Sequence, residues 1–232
     1  MVKLSIIVPA YNEKSTIAAI IKKIQAVSLG GIEKEIIVVD DGSNDGTREI
    51  LKTIPGIKYI FHQMNLGKGG AVKTGIAEAS GDMVVIQDAD LEYDPRDYAA
   101  LIKPILDGRT QVTNGVRIPP PNDPRRKLLS YWFHWFGNNV ITWTTNILYG
   151  ARSGEYEGCY KAFAKTLIDS IEVKANNFDF ENELICKILK RGYKVIDVPI
   201  RYYPRDYKAG KKIRWKHGFL ILWTIIKTRF VN

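Results

Sequence analysis

The sequence predicts an α/β fold built on a mostly parallel sheet flanked by helices. Three observations predict it. Short apolar runs alternate with helical patterns through the first half, and those runs are continuous rather than alternating polar and apolar. Three of them are followed at once by a polar cluster. Parallel strands covered on both faces read as such unbroken runs, and a β-α-β-α order sets successive strands side by side.

The runs are Leu4–Val8, Glu35–Val39, Lys58–Phe61 and Met83–Ile86. Between the first two, Ile17, Ile20, Ile21, Ile24 and Val27 fall on one helix face, with Asn12 or Ser15 as the expected cap. A second helix is expected after Asp45-Gly46 and a third after Asn65-Leu66-Gly67. The second half differs. Pro119-Pro120-Pro121 and Pro124 mark a loop that no helix enters, and the stretch from 128 to 149 is rich in Trp, Phe, Tyr and Leu. An amphipathic helix is expected over Asn177–Lys190, then a turn at Gly192 and a strand over Val195–Tyr203.

At 232 residues the chain suits one domain with a short appendage. Its net charge of +9 calls for anionic partners: nucleic acid, phosphorylated substrates or acidic lipid. No helix-turn-helix, zinc or RNA-binding pattern supports nucleic acid as that partner. Cys159 and Cys186 have neither metal-type nor disulfide-framework spacing. The opening apolar run is too short for a signal peptide, so a cytoplasmic protein is expected. The longest later run, 219–226, falls well short of the roughly 20 residues of a membrane span.

The polar clusters carry the chemistry. In doubly wound sheets, ligands bind beyond the carboxyl ends of the strands. Tyr11-Asn12-Glu13, Asp40-Asp41-Gly42-Ser43 and Asp88-Ala89-Asp90 stand at three such ends. Asp88 and Asp90 would repel one another unless a cation lies between them, and Mg²⁺ or Mn²⁺ would serve while also holding a diphosphate. Taken alone, the tripeptide could equally cap a turn. The glycines of Asn65-Leu-Gly-Lys-Gly-Gly lack phosphate-loop spacing and are read as permitting close packing where a helix starts, with Lys68 either in solvent or supporting the donor site.

Four stretches resemble family 2 glycosyltransferases of the GT-A fold: Ile7-Val-Pro-Ala-Tyr-Asn-Glu13, Val38-Val-Asp-Asp-Gly-Ser-Asn-Asp-Gly-Thr47, Asn65–Ala71 and Gln87-Asp-Ala-Asp-Leu-Glu-Tyr-Asp-Pro95. Further stretches resemble the dolichyl-phosphate mannose synthase group and its polyprenyl-phosphate relatives. These are Asn114-Gly-Val-Arg117, Glu157-Gly-Cys-Tyr-Lys161, Phe178-Asp-Phe-Glu-Asn-Glu183, Val198–Arg205 and Gly210–Ile213.

The resemblance implies inverting transfer of a hexose from a UDP- or GDP-sugar to a polyprenyl or dolichyl phosphate. Pro9, Tyr11, Glu13, Val39 and Asp41 would line the nucleoside pocket. Asp88, Ala89 and Asp90 would serve the donor, with Asp88, Asp90 and Glu92 around Mg²⁺ or Mn²⁺. Arg117, Arg205 and Lys211 would meet the donor phosphates, making Asp90, Arg117 and Arg205 the catalytic set. Arg126 and Ser130 would take the acceptor phosphate. For Asp40 a turn contact is expected as readily as a ligand contact.

Residues 1–212 would form the GT-A domain, including an acceptor or interface helix at 126–149. Residues 213–232 would form an amphipathic helix on the membrane surface. Residues 201–217 hold seven Lys or Arg against one acid, and Phe219, Leu222, Trp223 and Ile226 recur at helical spacing. An anionic membrane surface and a separate membrane-anchoring subunit are the implied partners. The alternatives are a soluble or protein acceptor, or a non-catalytic nucleotide-sugar-binding subunit.

Overall fold

A computed structural model describes residues 1–118, 129–204 and 216–231. The first half runs β1 (Lys3–Ala10), α1 (Ile17–Ala26), β2 (Glu33–Asp40), α2 (Thr47–Thr53), β3 (Lys58–Phe61), α3 (Lys68–Ala77) and β4 (Met83–Ile86). After one 3-10 turn at Pro95–Asp97 come α4 (Tyr98–Leu106), β5 (Val112–Ile118), α5 (Leu129–Tyr149) and β6 (Lys161–Ala164). Then follow α6 (Lys165–Asp169), α7 (Phe180–Lys190), β7 (Val195–Arg201) and α8 (Lys216–Phe230).

The strands form one sheet in the order β3-β2-β1-β4-β6-β5-β7. β3, β2, β1 and β4 are mutually parallel, β6 runs antiparallel to both neighbours, and β7 is parallel to β5. The chain moves outward from β1 to β2 and β3, then returns to place β4 on the other side of β1. That reversal opens a crevice beyond the ends of β1 and β4, where ligands bind in such sheets.

The continuous runs are the core: Ile6, Ile7, Val38, Val39, Val84 and Val85 are fully buried. In α1 the four isoleucines at 17, 20, 21 and 24 are also buried, each contributing about 1.5–3 kcal/mol of transfer free energy. The expected cap differs. The helix starts after Thr16, whose hydroxyl donates to Glu13 Oε2 (2.8 Å), while Asn12 accepts from the Asn44 N–H (3.0 Å). Asn12 has φ of +52°, the left-handed region that short polar side chains tolerate. It therefore serves the loop between β1 and α1 rather than the helix.

The glycines of α3 do permit close packing. A Cβ on Gly75 would run into Ile7, and one on Gly69 would lie 2.6 Å from Phe180 Cβ.

In the second half, β5 and β6 had no expected strand. Four-residue β6 gives no periodic signal, and β5 carries Thr113, Asn114 and Arg117 among its apolar residues. α7 starts at Phe180, three residues later than expected, and β7 ends at Arg201, with Tyr202 bridging back to Tyr93. Ile221 and Ile225 of α8 bury against Ile141 of α5 and Cys186 of α7. Tyr149 donates to the Ile225 carbonyl (2.8 Å) and Thr224 to Asp179 (3.0 Å). The opposite face of α8, with Phe219, Trp223, Ile226 and Phe230, is exposed, as are Phe133 and Phe136 of α5. Among the described residues no helix is long and apolar enough to cross a membrane.

Candidate active site

A cavity of about 450 Å³ opens at the crevice. Pro9, Tyr11, Glu13 and Asp41 line it from the ends of β1 and β2, and Asp88, Ala89, Asp90 and Glu92 from the turn after β4. Arg117 of β5, Asn138 of α5, Asn182 of α7 and Ile221 of α8 complete it. Of the residues assigned to the nucleoside pocket, Val39 is the exception. It is fully buried in β2, in register with Pro9, and does not line the cavity. Arg126, Arg205 and Lys211 lie outside the described residues. Ser130 falls in the first turn of α5, with its side chain outside the description.

Asp40 makes the turn contact: its Oδ2 accepts from the Ser43 N–H (3.1 Å) and from Arg48 (2.6 Å). Asp41 is mostly committed to its own loop. Its Oδ1 takes His62 (2.8 Å) and the Leu66 N–H (2.8 Å), and its Oδ2 takes the Gly67 N–H (2.9 Å). Gly67 itself sits at φ +87°, where a side chain would strike the Asn176 carbonyl. The Asp41 carboxylate thus fixes the start of α3 while it lines the cavity.

That placement aims Lys68, the first residue of α3, into the cavity. Its Nζ lies 2.7 Å from Asp88 Oδ1 and 2.8 Å from Glu181 Oε1. Burial works against the Lys68 ammonium, yet Asp88 and Glu181 hold its pKa well above the usual lysine value. Lys161, fully buried, reaches the other oxygen of Glu181 (3.2 Å) and the carbonyls of Tyr156 and Gly158. Burial would raise the Glu181 carboxyl, but the two lysines outweigh it and bring its pKa down. Glu157 goes the other way. Burial pushes its carboxyl up against the Asn182 hydrogen bond (2.8 Å) and the charges of Lys161 and Arg117.

In the turn after β4, Asp90 Oδ1 accepts the Glu92 N–H (3.0 Å), made possible by Leu91 at φ +65°. A non-glycine residue in that region stores strain, and such strain clusters at functional turns. Arg117 pairs with Glu155 and lies 4.9 Å from the Tyr202 ring centre, so its guanidinium is held from two sides.

Among the described residues, no three acidic, His or Cys side chains gather into a metal-binding group. Asp88, Asp90 and Glu92 line the cavity from one turn, with the Lys68 ammonium on Asp88 and the Glu92 N–H on Asp90. Three carboxylates of one turn thus line the cavity, the kind of donor set on which Mg²⁺ is commonly held together with substrate phosphates.

Residues 5–168 match the family described as Glycosyl transferase family 2. The chain belongs to that family. Over 230 residues it is 31% identical to the uncharacterized protein MJ1222 of Methanocaldococcus jannaschii, covering 95% of this chain and 90% of that one. It is 26% identical to the UDP-N-acetylglucosamine–dolichyl-phosphate N-acetylglucosaminyltransferase of Methanococcus voltae, covering 95% of this chain and 94% of that protein. Glucosyl-3-phosphoglycerate synthase from Mycobacterium tuberculosis, solved with Mn²⁺, UDP-glucose and phosphoglyceric acid, superposes with a TM-score of 0.74 at 20% identity. That match covers 99% of this chain and 80% of the other, and establishes the GT-A fold.

Lys161, Glu181 and Glu157 lie within the stretches that carry the resemblance, which implies no role for them. Lys161 opens the otherwise apolar β6, and Glu181 stands in the first turn of α7 beside Asn182 and Glu183, polar residues that the fold nevertheless buries.

Proposed function

We propose that this glycosyltransferase moves a hexose, with inversion, from a UDP- or GDP-sugar to a polyprenyl or dolichyl phosphate at the cytoplasmic face of a membrane. The observation that carries this reading is the extent of the cavity. It runs from the ends of β1 and β2, past the Asp88–Glu92 turn, to Asn138 and Ile221 on α5 and α8. Those two helices also turn Phe133, Phe136, Trp223 and Phe230 outward. A donor seated at the strand ends and a lipid phosphate arriving from the apolar face would meet at that turn. The dolichyl-phosphate acceptor in the name of the Methanococcus voltae relative supports the same class.

Under this reading the acceptor phosphate is its own nucleophile, since a phosphomonoester is ionised at neutral pH and needs no strong base. One of its oxygens attacks the anomeric carbon opposite the departing nucleoside diphosphate. Asp88, Asp90 and Glu92 would hold Mg²⁺ or Mn²⁺, which would supply positive charge to offset that of the leaving diphosphate. Arg117, fixed by Glu155 and Tyr202, faces the same developing charge, and Arg205 and Lys211 join it. Arg126 and Ser130 receive the acceptor phosphate. We assign residues 1–212 to the catalytic unit and 213–232, with the segment 126–149, to the lipid side. An anionic membrane surface then serves as docking partner, alone or with a separate anchoring subunit.

The polar Asn138 and Asn182 in the cavity wall favour a second reading, a soluble or protein acceptor. One experiment separates the readings. Each labelled UDP- or GDP-sugar is incubated with the protein, Mg²⁺ or Mn²⁺, and a polyprenyl phosphate in detergent. Label extracted into the organic phase is the expected result. Label transferred to a soluble or protein acceptor instead supports the second reading. Nucleotide-sugar binding without transfer to any acceptor leaves a non-catalytic subunit.

A further inference from the structure

Directly before the Asp88–Asp90 turn, Gln87 is fully buried, and a buried amide must account for its donors and acceptor. Its backbone N–H continues the sheet to the Ile7 carbonyl (2.9 Å). Its side-chain oxygen accepts from the Tyr98 hydroxyl (2.6 Å), on the first residue of α4, and from the Tyr160 hydroxyl, just before β6. Its side-chain nitrogen donates to the Asp88 carbonyl (2.9 Å).

The amide can sit only one way round. Flipping it would set its oxygen against the Asp88 carbonyl oxygen and lose that bond. Burial raises the pKa of both tyrosines well above the usual value, so both remain hydroxyl donors. Tyr160 is in turn packed by Tyr93, with ring centres 4.8 Å apart, and its carbonyl accepts the Gly115 N–H (2.6 Å). The amide is thus anchored to α4 and to the β6 strand start.

We infer that Gln87 is a positioning residue: through its hydrogen bond to the Asp88 carbonyl it sets the direction in which the Asp88-Ala89-Asp90 turn presents its carboxylates to a metal-bound nucleoside diphosphate. This rests on the reading that the turn binds that ligand. Asp88 has only a short side chain, so a rotation of its peptide moves the carboxylate with it. Nothing else in the structure donates to that carbonyl from beneath the turn among the described contacts. Groups that orient ligating carboxylates typically change metal affinity about 10- to 100-fold when removed.

The test must separate positioning from plain stability. Gln87→Met keeps volume but takes the shared acceptor from two buried hydroxyls, so it should lower both the melting temperature and metal-dependent binding. The triple variant Gln87→Met/Tyr98→Phe/Tyr160→Phe replaces the amide and both hydroxyl partners with apolar groups of similar shape, an exchange that can be nearly neutral for stability, and leaves only the Asp88 carbonyl without its donor. UDP and GDP binding is measured by calorimetry with and without Mn²⁺.

The triple variant is expected to regain most of the melting temperature. Its Mn²⁺-dependent nucleotide affinity should stay at least about 10-fold below wild type, with metal-free affinity unchanged. If that affinity returns along with the melting temperature, Gln87 only fills and satisfies the core, and the inference is overturned. If metal-free and metal-dependent affinities fall equally, the effect is not on the carboxylates and the inference is overturned as well. If the wild type itself shows no Mn²⁺-dependent binding of either nucleotide, the turn is not the donor site and both readings fall together.

Discussion

On the donor side of the cavity, Asp41, Asp88 and Asp90 ride on strand ends, and the backbone N–H of Glu92, two residues on, bonds the Asp90 carboxylate. On the helical side, Lys161 and Glu181 meet across 20 residues and Arg117 and Glu155 across 38, each brought together by packing. The first arrangement costs little to form, because strand and turn already fix the carboxylate. The second takes charges out of water and must compensate them in full. Glu181 serves two lysines at once, so the helical side depends on one carboxylate where the donor side spreads its function along a turn. Removing a group from each side should therefore have different consequences.

The largest expected effect is on the helical side. Glu181→Gln leaves Lys161 fully buried with two carbonyls and without its ion-pair partner. Breaking a buried pair by removing one partner typically costs about 3–5 kcal/mol. Urea unfolding at neutral pH should show a loss of that order. A loss below about 1 kcal/mol would mean that the carbonyls alone compensate Lys161. The sign with pH follows from the lowered Glu181 pKa. Its contribution is present above the unfolded carboxyl value, about 4.3, and is lost as pH falls through the lower folded value. The wild-type curve should therefore drop in acid more steeply than that of the variant.

On the donor side the same kind of change should harm chemistry and spare the fold. Asp90 is only half-buried, and asparagine keeps an oxygen to accept the Glu92 N–H. Asp90→Asn should leave the melting temperature nearly unchanged while kcat falls at least about 100-fold, the scale of losing one transition-state stabilising group. EDTA should likewise abolish wild-type turnover. Near-normal activity in the variant, or indifference to EDTA, would overturn the metal assignment.

The same contrast explains what the sequence made legible. Four strands, their order with three helices, and the turn residues follow from patterns spanning under ten residues, and the structure places Pro9, Tyr11, Glu13, Asp41, Asp88, Asp90 and Glu92 in one cavity. Val39, which only the resemblance assigned to the nucleoside pocket, is fully buried in β2. β5 and β6 escaped because their polar residues make long-range bonds, Asn114 to Glu155 and Asp197 among them. The pairing of Lys68 with Asp88 depends on the clamp of Asp41 on Gly67, which no local pattern contains.

The smallest expected effect concerns the outer face of α8, where both sides of the comparison give way to the surface. Deleting the helix would be a poor probe, since Ile221 lines the cavity and Ile225 covers Ile141 and Cys186. Trp223 is 62% exposed and Phe219 67%, so replacing both with serine should leave the fold and nucleotide-sugar affinity intact. If this face lies in a lipid interface, each aromatic lost weakens binding to anionic liposomes by up to about tenfold, the equivalent of one partly buried ring. The salt dependence should stay the same, because apolar insertion is not screened. Neutralising exposed Lys227 should do the reverse, removing about 1 kcal/mol at low salt and flattening the salt dependence. Liposome sedimentation across a salt series reads both quantities. Should the serine variant bind liposomes as well as the wild type, the lipid contact does not run through α8, and the exposed aromatics of α5 become the surface to test.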